Sequence, residues 1–303
     1  MKIVRFLVGL SLAFLCSCDD GIVRSDVPPR DVAPRDVAPI DARPLDARPL
    51  DARPIDARPV DAAPIDAMPI DAAAAGEGEI RIYELSFVGM DMSGAPAVFR
   101  NGRRWGEVTA TGGGCDVYPG HAGNGQAFAG DIEITGASAS PIKLSVVNDE
   151  YYKVQGDEDL PGNLFEPGNT LSVVAAGSEE IPAFAGSVVA PVPVTGATTP
   201  KVVRRSEPLE LGWDPGGAST MFIWLVGVDE DDKLACKTPD TGSYVVAPEA
   251  LALLSPNNTS VILWYLRINE TVVTAGSWRI FLDAASVLVP GTDMLNMTIA
   301  FAP

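Results

Sequence analysis

Histidine occurs once in this 303-residue chain and cysteine four times, and no apolar run is long enough to cross a bilayer. The single His121 means that any Ser-His-Asp or Cys-His nucleophilic site must be built on that one residue. Two cysteines lie within the first 18 residues, so only Cys115 and Cys236 remain for the body. Two thiols and one imidazole fall short of the four ligands of a structural zinc site. Basic residues are also scarce, 22 against 40 acidic, for a formal net charge of −18. A basic stripe is the electrostatic footprint of nucleic-acid binding, and nothing here supplies one.

What is present begins at the N-terminus. Lys2 and Arg5 precede an apolar stretch, Phe6 to Leu15, broken only by Gly9 and Ser11. Ten residues fall well short of the ~20 needed to span a hydrocarbon core. A basic start followed by a short apolar run is the pattern of an export leader, residues 1–17. The next residues, Leu15-Cys16-Ser17-Cys18, resemble the lipobox of bacterial lipoproteins: an aliphatic residue three before a cysteine and a small residue just before it. The resemblance implies cleavage before Cys18, a diacylglycerol thioether on its sulfur and acylation of the new N-terminus. Several acyl chains, each buried CH2 contributing about 0.8 kcal/mol, anchor a protein to a membrane without a spanning helix. Asp19 follows the cysteine, which in proteobacterial lipoproteins favours the inner membrane; the choice between inner and outer membrane stays open.

From Asp26 to Ile70 the chain repeats Asp-x-x-Pro-x nine times, from Asp26-Val27-Pro28-Pro29-Arg30 to Asp66-Ala67-Met68-Pro69-Ile70. Proline at every fifth position removes a backbone donor and breaks helices, and it drives the preceding residue toward extended conformations. Five residues of a polyproline II helix advance by roughly 240°, so the aliphatic positions spread around the axis. In a strand an odd period alternates faces. The repeat therefore cannot gather its apolar groups, and residues 18–75 read as a disordered, partly extended tether. About 57 residues at ~3.1 Å each reach on the order of 170 Å when extended, or about 40–45 Å as a flexible coil.

Residues 76–303 are rich in Val, Ile, Thr and aromatics, in short runs separated by Gly, Pro, Asn and Asp, which predicts an all-β fold. Once the leader and the seven arginines and twelve aspartates of the tether are set aside, 13 basic and 28 acidic residues remain, a formal charge of −15. Strands are predicted at Glu79–Val88, Pro96–Arg100, Trp105–Thr111, Ala129–Gly136, Ile142–Val147, Tyr151–Val154, Thr170–Ala176 and Ala183–Val189. After a proline-rich connector they resume at Pro208–Trp213, Thr220–Val228, Lys233–Lys237, Ser243–Val246, Ser260–Ile268, Thr271–Ser277, Trp278–Leu282 and Met294–Ala302. Pro248 to Leu254 is the one helix-like stretch, with proline at a tolerated first-turn position. The expectation is two tandem β-sandwich domains, 76–197 and 198–303. Leu209-Glu210-Leu211-Gly212-Trp213-Asp214-Pro215 resembles an early core strand of immunoglobulin or fibronectin type III modules, which marks the second domain as Ig-like. The Cys…Trp…Cys pattern of true immunoglobulin domains is absent.

Candidate chemistry is sparse. Cys115 and Cys236 form a candidate disulfide in an exported chain. His121 lies in a glycine-rich stretch, unlike the fixed geometry that a catalytic base needs. The acidic clusters Asp149-Glu150, Asp157-Glu158-Asp159 and Asp229-Glu230-Asp231-Asp232 could offer oxygens to Ca2+, with Asp229, Asp231 and Asp232 the candidate ligands. Gly112-Gly113-Gly114 lacks the Lys-Ser/Thr and helix of a phosphate loop. Trp105, Tyr151, Tyr152, Phe165, Phe222, Trp224, Trp264, Tyr265 and Trp278 could line a sugar platform, although alternation in strands makes core packing the default. The reading is a non-enzymatic, lipid-anchored envelope protein that needs no cofactor. Its partners would be a membrane, through the lipid, and a protein or glycan ligand. The alternative is a calcium- or carbohydrate-binding module, and a secreted hydrolase ranks third.

Overall fold

Alternation in the body is so regular because most strands bury at least one face. The computed structural model describes residues 76–87, 90–101, 107–119, 127–147, 151–155, 160–198, 200–217, 220–229, 232–291 and 298–302. Cys18 and the tether lie outside the described residues. In chain order the strands are β1 (Gly76–Phe87), β2 (Met90–Gly94), β3 (Ala97–Arg100), β4 (Ala110–Gly112), β5 (Cys115–Pro119) and β6 (Ile132–Thr135). They continue with β7 (Ile142–Val147), β8 (Tyr151–Val154), β9 (Thr170–Ala175), β10 (Phe184–Val189), β11 (Val202–Arg204) and β12 (Leu209–Gly212). Then come β13 (Thr220–Gly227), β14 (Asp232–Pro239), β15 (Ser243–Val246), the short helix α1 (Pro248–Leu251), β16 (Ser260–Ala275), β17 (Trp278–Val289) and β18 (Thr298–Ala302). The fold is all-β and sandwich-like, and no helix among the described residues is long and apolar enough to cross a membrane.

An eleven-stranded sheet runs β2-β1-β17-β16-β13-β14-β5-β4, with β3 on β1, and β18 joining β16 to β11. A five-stranded sheet runs β10-β9-β6-β7-β8, and β12 pairs with β15 alone. Strands from both sides of residue 197 share the large sheet: β1 pairs in parallel with β17, from Gly76↔Trp278 to Phe87↔Val289, and β5 pairs with β14. The expected boundary at 197 is therefore not a boundary between sheets, and Ala72–Pro303 falls within one compact unit. Two cores lie on one face of the large sheet, and each draws residues from both sides of residue 197. Ile80, Ile82, Leu282 and Ala284 of the large sheet meet Ile132, Leu144, Leu171 and Val173 of the five-stranded one. Farther along the same face, Ile223, Leu225, Leu263 and Tyr265 meet Leu209, Leu211, Val246 and Leu251. Burying each such aliphatic side chain contributes about 1.5–3 kcal/mol. Between the two sheets of the first core, a Cβ on Gly186 would stand 2.6 Å from Leu282 Cδ1 and 2.7 Å from Val273 Cγ1. A larger side chain there would have to push both tips aside.

The opposite face of the large sheet is also apolar. Tyr83, Leu85, Phe87, Phe222, Val226, Ile262, Trp264, Leu266 and Val287 form a third buried cluster there, drawn entirely from strands of this one sheet. Near-continuous apolar runs explain it: β13, β16 and β17 carry apolar residues on both faces, the pattern of strands that expose neither side.

Candidate functional site

The glycines at 112–114 have a structural role that leads to the cysteines. Gly113 and Gly114 take φ of 58° and 78° and form the two-residue turn between β4 and β5. Two consecutive positive φ values match the twist of a tight hairpin and suit glycine. The turn fixes Gly112 opposite Cys115, and β5 then pairs with β14 so that Cys115 faces Cys236. The two sulfurs are bonded, S–S 2.00 Å, with both residues buried. Tyr244 Oη lies 3.7 Å from Cys115 Sγ, and burial raises its phenol pKa. Bonded this way, Cys115 offers no thiolate to a Cys-His pair, and His121 lies outside the described residues.

The last acidic cluster is placed in part. Asp229, just after β13, accepts hydrogen bonds from Thr259 N–H and Oγ1–H, each at 2.7 Å. These donors hold its carboxyl below the usual range. Asp232 accepts from Ser255 N–H at 2.6 Å and from the Asn258 side-chain amide, while Asn258 Oδ1 accepts from Asp229 N–H at 3.0 Å. Both carboxylates thus pin the loop 255–259. Arg205 secures it from the other side, donating to the carbonyls of Leu251, Leu254, Ser255 and Asn258 and stacking 3.9 Å from the Phe301 ring centroid. Asp231 lies outside the described residues, as do Asp149-Glu150 and Asp157-Glu158-Asp159. Among the described residues no three His, Cys, Asp or Glu groups could hold a metal ion. A cation at Asp229 and Asp232 would compete with amide donors for the same oxygens.

The aromatic candidates separate into two groups. Tyr152, Phe165, Tyr265 and Trp278 are core residues. Tyr152 Oη donates to Gly130 O at 2.9 Å and accepts from Ala129 N–H at 2.6 Å, and burial pushes its pKa up to about 12. Tyr265 Oη donates to Thr198 O at 2.6 Å and is likewise pushed up to about 12. Trp278 Nε1 donates to Glu180 O at 3.1 Å. Phe222, Trp224 and Trp264 instead share the second face of the large sheet. There Trp224 and Trp264 border a depression of about 330 Å³, open solvent included, also lined by Arg81, Tyr83, Leu85, Leu266 and Val287. The Arg81 guanidinium lies 6.0 Å from the Trp224 ring centroid and pairs with Glu79 and with Asp283 at 3.4 Å. Its charge is already matched, so the depression suits an apolar group rather than an anion. Trp105 and the Tyr151 side chain lie outside what is described.

Two participants were not foreseen. Tyr83 joins the tryptophans, and alternation within Glu79–Val88 could have flagged it. Arg267, 1% exposed, donates Nε to Asp240 Oδ2 at 2.9 Å, Nη1 to Val192 O at 3.1 Å and Pro193 O at 2.7 Å, and Nη2 to Asp214 O and to Asp240 Oδ1 at 3.3 Å. Asp240 also accepts from Trp213 Nε1–H at 2.7 Å and Gly216 N–H at 2.9 Å. A Cβ on Gly216 would lie 2.5 Å from the guanidinium carbon. The signal was available: one arginine at a core-facing position in Val261-Ile262-Leu263-Trp264-Tyr265-Leu266-Arg267-Ile268. Its role is to tie the proline-rich connector to β16 and to the Trp213–Gly216 segment.

No family model matches this chain, nor does any curated protein or solved structure.

Proposed function

We propose that the chain is an exported, lipid-anchored envelope protein. It is held at a membrane through Cys18 and displays two Ig-like sandwich modules on its Asp-x-x-Pro tether for adhesion, scaffolding or ligand binding. The observation that carries export is the Cys115–Cys236 bond, buried in a β5–β14 ladder. Structural disulfides persist in oxidising compartments and are rare in the cytosol. The leader and the lipobox-like residues agree with that address, and the apolar cores on one face of the large sheet suit sandwich-like packing. The formal charge of −15 on residues 76–303 argues against nucleic acid as a partner.

A calcium- or carbohydrate-binding module is the second reading. The observation in its favour is the tryptophan-lined depression, a sugar-stacking surface in this reading, whereas calcium would have to displace the donors that Asp229 and Asp232 already hold. Thermal melting with and without calcium, paired with a glycan array, separates the two. Display of a protein-binding surface predicts an unchanged Tm and an empty array. A calcium-dependent rise in Tm that Asp229→Asn removes, or saturable glycan binding, overturns it in favour of the module.

A further inference from the structure

We draw no further inference here: the strongest candidate, the apolar face of the eleven-stranded sheet around Tyr83, Trp224 and Trp264, carries none, because nothing in the structure shows what covers it.

Discussion

Replacing Arg267 with methionine removes five N–H contacts at a stroke and leaves Asp240 buried with only Trp213 Nε1–H and Gly216 N–H as donors. The Arg267 and Asp240 side chains are 1% and 0% exposed, so solvent cannot substitute for the lost partner. Breaking a buried pair by deleting one member costs about 3–5 kcal/mol. The carbonyls of Val192, Pro193 and Asp214 also lose donors, which places Arg267→Met toward the upper end. With a urea m-value of about 2–3 kcal/mol/M, the unfolding midpoint should fall by roughly 1–2.5 M. Adding Asp240→Asn removes the uncompensated charge, so the double variant should recover part of the loss, with a coupling of about 1–3 kcal/mol. Urea unfolding followed by tryptophan fluorescence reads both values. Arg204→Ala provides the control: its pairing with Glu207 has both side chains more than half exposed, 56% and 58%. Exposed pairs are worth little, so that change should fall within about 0.5 kcal/mol. The reasoning fails if Arg267→Met costs under about 1 kcal/mol, or if the double variant is additive.

Two further predictions concern the body. The disulfide closes a 121-residue separation. The loop-entropy relation therefore assigns it about 5 kcal/mol, so Cys115→Ser with Cys236→Ser should lower stability by several kcal/mol in denaturant titration; a loss under about 1 kcal/mol contradicts this. Burial raises the Glu84 pKa above the ordinary carboxylate range, although Phe165 N–H donates to its Oε1 at 2.9 Å. A folded-state pKa raised in this way gives stability that is present below the unfolded value and lost as pH rises through the folded one. Glu84→Gln keeps an acceptor without the charge. It should therefore be more stable than the parent at pH 7, with the advantage fading below about pH 4; a less stable variant at pH 7 refutes the assignment.

How much could be read beforehand depended on whether the determinant was local. β7, β8 and β15 match their predicted bounds because alternation and flanking turn residues are short-range signals. The body was expected to turn between Ile268 and Thr271, but β16 runs unbroken through Asn269-Glu270. Its ladder with β17 pairs Asn269 with Ala284 and Glu270 with Asp283, and the turn falls at Gly276-Ser277 instead. Tertiary pairing overrode the local turn propensity. β2, β5 and β11 were missed because they are short and interrupted by Gly, Pro or charge. The parallel β1–β17 pairing joins segments about 200 residues apart and leaves no local trace, so the sharing of one sheet across residue 197 was not legible. Among the site residues, spacing alone could not decide the cysteine pairing. It follows from the register set by Gly113-Gly114.

The proposed membrane anchoring rests on one sulfur. Intact-mass analysis of the N-terminal peptide, combined with membrane fractionation of the wild-type and Cys18→Ser proteins, tests it most directly. The account predicts a wild-type chain beginning at an acylated Cys18 in the membrane fraction, and a Cys18→Ser chain in the soluble fraction. A wild-type chain with an unmodified Cys18, or a Cys18→Ser protein that stays with the membrane, would contradict it.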